Sequence, residues 1–153
     1  MHPNAMLIER LYTSLDRHDD KAMAECYAND ATFRDIAFDL KGRANIASMW
    51  RMIVSGDIQV TIENIDAGDR EGVARIVDRY TFHETGRPVR NVIESHFRFR
   101  DARIVEHWDA CDPRAWAAMA LGGVPGFLAG RFRYIRRWTA TKKLRTFQQL
   151  SAK

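Results

Sequence analysis

Asp35, His107 and Asp109 are the side chains of this 153-residue chain best suited to moving protons. His107 and Asp109 lie two residues apart in a stretch, Arg103 to Cys111, that alternates like a strand. At period two, His107, Asp109 and Cys111 share one face, and Glu106, Trp108 and Ala110 the other. In the stretch before it, Ile93, Ser95, Phe97 and Phe99 share an apolar face that reads as interior. With both faces turned inward, His107 and Asp109 meet Asp35 across a pocket walled by Phe33, Phe97, Phe99 and apolar helix stripes. A carboxylate held among aromatic rings has its charged form disfavoured, so it can take or give a proton near neutral pH. That setting suits acid–base chemistry on an apolar molecule, worth about 10²–10⁴ in rate. Tyr12 or Ser95 can supply a hydrogen bond to a substrate carbonyl, and Trp50 and Asp78 complete the candidate binding wall.

Each of these residues also has a plain structural use. Asp35 can hold the irregular loop 36–41, and His107 with Asp109 can be a sheet-supporting pair. Asp78 beside Arg79 reads as an exposed ion pair, while Tyr12 and Trp50 fit the core. Asp112 reads as the cap of a helix opened by Pro113. The five histidines form no HxxxH or HxH pair, and Cys26 and Cys111 lie far apart, so no metal site is expected. There is no glycine-rich phosphate loop and no GxSxG elbow. The chemistry expected here uses no cofactor.

The elements that must position these side chains follow from periodicity. Residues 4–17 read as an amphipathic helix with Asn4 as its cap and Leu7, Ile8, Leu11, Tyr12 and Leu15 on its apolar side. A second short helix is expected over 21–27, then a turn at Asn29-Asp30 and a strand over 31–36. A third helix runs over 43–54 with Ile46, Met49, Trp50 and Ile53 on one stripe. Four strands follow, over 58–65, 73–84, 89–100 and 103–111, joined by short turns and therefore antiparallel. The order is α+β, with helices packed on one face of a curved antiparallel sheet.

Composition supports one soluble domain and an extension. Apolar residues are 46% and charged residues 29%, which suits a folded core rather than a disordered chain. The longest uncharged run, 115–130, holds four glycines and a proline, too broken to span a bilayer. With no basic-then-apolar start, a cytoplasmic location is expected. The net charge of +4 is unevenly spread. Residues 1–112 hold all 20 acids against 15 basic side chains, whereas 113–153 hold nine basic residues and no acid. The division expected is therefore a domain over 1–112 and a basic helical extension over 113–153. In the extension a helix is expected over 127–138, with Leu128, Phe132, Ile135 and Trp138 on one stripe. The last dozen residues read as poorly ordered. The stripe can fold back on the domain, lie on a partner subunit, or place residues 127–145 on an anionic membrane surface. Nucleic acid is the least favoured partner.

Three stretches carry a resemblance: Tyr27-Ala-Asn-Asp-Ala-Thr-Phe-Arg-Asp35 followed by Gly42-Arg43 and a helix; Phe97-Arg-Phe-Arg-Asp-Ala-Arg-Ile104; and Glu106-His-Trp-Asp109 before Asp112-Pro113. They resemble the nuclear transport factor two-like superfamily, a cystatin-like cone that includes ketosteroid isomerases, SnoaL-like polyketide cyclases and limonene-epoxide-hydrolase-like enzymes. The resemblance spans about residues 5–112. It implies a cone with an apolar pocket for a small hydrophobic molecule, and a homodimer through the convex sheet face, with Trp108 near that interface. Asp35 falls on the isomerases' general base, their oxyanion tyrosine on Leu11 beside Tyr12, and their oxyanion aspartic acid on Ser95. Asp109 falls on the epoxide hydrolases' water-activating aspartate and Asp78 on their second carboxylate. Their arginine falls on Ile76, with Arg75 one residue out of phase. The resemblance thus implies either Asp35 or Asp109 as base with His107 as its partner, or a non-catalytic module that binds a hydrophobic ligand or docks through its tail.

Overall fold

The computed structural model describes residues 1–123 and 133–152. Helix α1 (Pro3–Asp16) starts one residue earlier than expected, because Pro3 is preset for the first helical position and His2 supplies the cap, its Nδ1 accepting from the Asn4 N–H at 3.1 Å. Asn4 is therefore not the cap. Its side-chain amide donates instead to the Gly68 and Asp69 carbonyls at 2.8 and 3.1 Å, tying the helix start to a strand turn. Asp19 caps α2 (Asp20–Glu25), which ends before Tyr27.

Tyr27 belongs instead to strand β1 (Tyr27–Arg34), because its backbone pairs with Ile104 of a parallel partner. Asn29 and Asp30 are thus not a turn but sit at an irregularity within β1, between the pairings of Tyr27 and Thr32. The loop after Asp35 contains a short strand, β2 (Asp39–Lys41), antiparallel to β1. Helix α3 (Arg43–Val54) follows, with Ile46, Met49 and Trp50 buried. Next come β3 (Gln59–Ala67), β4 (Glu71–Phe82), β5 (Arg87–Arg100) and β6 (Arg103–Ala110). Asp101 and Ala102 join β5 to β6 with φ of 51° and 56°, the two positive values of a tight hairpin turn.

The six strands form one sheet in the order β2-β1-β6-β5-β4-β3, with β1 parallel to β6 and every other neighbour antiparallel. Irregularities in β1, β3 and the β5–β6 pairing bend it. Ile8, Leu11 and Leu15 of α1, Met23 of α2 and the α3 stripe pack on its inner face, against Phe33, Ile76, Ile93, Phe97, Phe99 and Ile104. The architecture is α+β.

Gly72 shows how closely α1 lies on β4. A Cβ there would stand 3.0 Å from Ile8 Cδ1 and Ala67 Cβ and 3.1 Å from Phe99 Cε2. Gly72→Ala is expected to lower stability by about 1–3 kcal/mol, the usual cost of overpacking. A urea midpoint equal to wild type would contradict that packing.

Asp112 caps α4 (Pro113–Leu121) as expected, accepting from the Arg114 and Ala115 N–H groups at 2.9 and 3.3 Å. Trp116 of α4 donates through its indole N–H to the Tyr80 hydroxyl at 2.6 Å. Helix α5 (Arg133–Ser151) extends through residues expected to be poorly ordered. Burial accounts for the difference, since Leu144 joins the core at 3% exposure and Gln148 donates to the Asn45 side chain at 3.3 Å. The expected stripe residues Leu128 and Phe132 lie outside the described residues. Among the described residues, no helix is long and apolar enough to cross a membrane.

Candidate active site

Strand register brings the candidate side chains into rows. Phe33, His107 and Phe97 lie side by side across β1, β6 and β5. In the next row Ser95 faces Asp109, and on the other side of β5 Asn91 faces Asp78 of β4. The alternation read in β5 and β6 holds: Ser95, Phe97 and His107 are at most 1% exposed. Tyr12, Phe33, Trp50 and Phe99 are buried as well.

Two hydrogen-bond chains end on one carboxylate oxygen. The Tyr12 hydroxyl donates to Ser95 Oγ, which donates to Asp109 Oδ1 at 2.6 Å. From the other side His107 Nε2 lies 2.8 Å from the same Oδ1. His107 Nδ1 lies 2.8 Å from the Tyr27 hydroxyl, which accepts from Trp50 Nε1 at 3.2 Å.

Proton counting assigns the imidazole. An ionised Asp109 can only accept, so Nε2 donates to its Oδ1, and in the neutral imidazole the Tyr27 hydroxyl, whose oxygen accepts the Trp50 indole N–H, turns its proton towards Nδ1. Nδ1 is then bare, and Nε2 carries the proton that it donates to Asp109. Burial holds the Tyr12 and Tyr27 phenols well above their ordinary pKa, so both keep the protons these chains require. The His107 side chain is fully buried and packed against Phe33 and Phe97 at 4.8 and 4.4 Å between ring centres. Histidine ¹⁵N NMR of the neutral ring should show a protonated Nε2 and a bare Nδ1; the reverse tautomer would contradict the assignment.

Both bonds to Asp109 fall on Oδ1, leaving Oδ2 without a hydrogen bond to the described residues, in a side chain 12% exposed. Asp35 is half-buried at the end of β1. Its Oδ1 accepts from the Ala37 and Phe38 N–H groups at 2.7 and 2.6 Å, so it does hold the loop before β2. Desolvation outweighs those two bonds, and with Asp109 nearby it pushes the carboxyl up to about 6. His107 and Asp109 are thus joined directly, while Asp35 stands within electrostatic reach of both. Asp78 is not the exposed partner of Arg79. It is 8% exposed and faces the same interior, because β4 alternates Ala74, Ile76 and Asp78 inward and Arg75 and Arg79 outward. Desolvation first, then Asp109 and Asp35, push it up to about 7.

Tyr27, Asn91 and Tyr80 join this interior without having been singled out as site residues. Tyr27 reads as the end of a helix stripe, which hides its role as the donor to His107. Asn91 and Tyr80 carry the signal needed, each lying in phase with an inward series, Asn91 with Ile93 and Ser95 and Tyr80 with Ile76 and Asp78. Among the described residues, no three His, Cys, Asp or Glu side chains stand close enough to hold a metal ion.

A curved sheet over three helices, with acids and aromatic rings on its inner face, defines a cone. The profile of the SnoaL-like domain family matches residues 8–107, and the chain belongs to that family. No curated protein sequence matches the chain. Among solved structures, it is similar to IdmH, a candidate polyketide cyclase from Streptomyces antibioticus. The two share 26% identity over 80% of this chain and 100% of that one, with a TM-score of 0.65. It is also similar to an LEH-like epoxide hydrolase from M. tuberculosis, at 17% identity, 87% and 95% coverage and a TM-score of 0.67. A candidate isomerase from Rhodopseudomonas palustris matches at 16% identity, 80% and 98% coverage and the same TM-score. The fold is the nuclear transport factor two-like cone.

Proposed function

We propose that this protein is a cofactor-independent acid–base catalyst that isomerises or cyclises a small hydrophobic carbonyl compound. The observation that carries this reading is the position of Asp109, whose Oδ1 is held by two buried donors while Oδ2 is left for a substrate. Oδ2 takes a proton from the carbon next to the carbonyl. The C–H electrons move into the new enolate, and its oxygen accepts a hydrogen bond from Asp35 in its acid form. Returning the proton to another carbon completes an isomerisation; attack of the enolate on a second carbonyl within the molecule completes a cyclisation. His107 and Ser95 hold Asp109 through both steps. Tyr12 and Ser95 have their hydroxyl protons committed to this network, so they position the base rather than bind the carbonyl. IdmH, a candidate polyketide cyclase, fits this class.

Epoxide hydrolysis is the less supported chemistry. The inward place for an arginine in β4 is Ile76, 2% exposed, and Arg75 faces outward to Glu63 at 2.8 Å.

The test is α-proton exchange in D₂O, followed by NMR over a panel of hydrophobic ketones and 1,3-diketones. The reading expects at least one compound to exchange faster with the protein than in buffer. Binding of panel members with no accelerated exchange would favour a non-catalytic ligand-binding module.

We also propose that residues 1–112 form the catalytic domain and 113–153 an extension packed on it, in a cytoplasmic homodimer formed through the outer sheet face. Trp108 stacks on His96 on that face at 5.2 Å. Burial of Leu144 speaks for a tail held on its own domain rather than one lying on a membrane.

A further inference from the structure

Asp78 is a buried carboxylate that the mechanism above leaves unused. Its Oδ1 is buried with no hydrogen-bond partner, and its protein hydrogen bond comes from the Asn91 backbone. Facing it are Asp109 from β6, Asp35 from the end of β1, Tyr80 from β4, Tyr12 from α1 and Cys111 beyond β6. None of these groups is a cation. The arginines of its own strand point away, Arg75 to Glu63 and Arg79 to Thr61. Among the described residues, no Lys or Arg pairs with Asp78 or Asp109. Among the described residues, these carboxylates are not part of any group of three or more His, Cys, Asp or Glu side chains that could hold a metal ion.

A buried carboxylate without a countercharge is costly unless it takes up a proton or a cation. The rings near it are those of Tyr12 and Tyr80, and ring faces attract an organic cation within about 6 Å. We propose that the substrate carries a cationic nitrogen, an alkylammonium group, that seats against Asp78 inside the cone. This rests on the interior being the substrate site, and it narrows the substrate class to hydrophobic carbonyl compounds that also carry an amine or quaternary ammonium group. Such a ligand replaces the proton on Asp78. Its apparent affinity therefore follows the fraction of Asp78 that is ionised.

The probes are benzyltrimethylammonium, whose charge is independent of pH, and neopentylbenzene, its neutral carbon isostere. With the Asp78 carboxyl near 7, the affinity of the cation should rise about 30-fold between pH 5.5 and 8, while that of the isostere stays level. Asp78→Asn keeps the shape of the side chain. It should weaken the cation about 10-fold or more at pH 8, cut its pH dependence to the smaller part that Asp35 contributes near pH 6, and leave the isostere unchanged. If the isostere binds as tightly as the cation at pH 8, the substrate class is overturned while the acid–base reading stands. Binding of neither probe also overturns it, and the α-proton exchange assay then judges the acid–base reading on its own.

Discussion

Asp109→Asn is expected to lower catalysed α-proton exchange by about 10²–10⁴, the usual worth of a positioned general base. The carboxamide oxygen can still accept from Ser95 and His107, so the fold and the binding of panel compounds should persist. This separates loss of the base from loss of structure. Ser95→Ala removes one of the two bonds on Oδ1 and should cost much less, because His107 still orients the carboxylate. Asp35→Asn should lower exchange and remove the fall in rate that begins as pH rises through about 6, where its carboxyl loses the proton it donates. If Asp109→Asn retained wild-type exchange while Asp35→Asn abolished it, the two acids would have exchanged roles, as their matches to two enzyme groups allow. Exchange untouched by either change would leave the interior as a binding site only.

The second large effect is on stability. Asp78 and Asp35 hold their protons to about pH 7 and 6 in the folded protein, against about 3.9 in an unfolded chain. Between pH 4 and 7 the folded state therefore binds more protons than the unfolded one, and unfolding free energy falls as pH rises. The contribution of these groups is complete below pH 4 and is lost as pH passes through 7. A three-unit shift corresponds to about 4 kcal/mol as a ceiling for Asp78. Asp78→Asn is thus expected to stabilise the protein by about 2–4 kcal/mol at pH 8 and to change little at pH 4. Chemical denaturation at both pH values measures this. Equal stability at pH 8, or a loss, would show that Asp78 has a countercharge in the folded protein.

Much of the fold was legible because it rests on local patterns. Helix α3 follows from its apolar stripe, and the inward faces of β5 and β6 follow from strict alternation. The Asp112–Pro113 helix start follows from cap chemistry. What was hidden depends on partners distant in sequence. Tyr27 sits where a helical stripe and a strand both fit, and only the parallel pairing with β6 decides between them. Strand β2 is three residues long and has no periodicity of its own. The burial of Asp78 was readable from Ala74 and Ile76 in phase with it, but its neighbour Arg79 suggested an exposed pair. The tautomer of His107 could not be read from sequence, since it depends on contacts with Asp109 in its own strand and with a phenol on β1.

The most direct test of the central claim is a crystal structure with an exchanging compound bound at pH 5.5, where Asp35 keeps its proton. The account predicts the acidic carbon within about 3–3.5 Å of Asp109 Oδ2, with the carbonyl oxygen towards Asp35 and both bonds to Oδ1 kept. A compound bound outside the cone, or lying inside it with Asp109 Oδ2 turned away from the acidic carbon, would contradict the account.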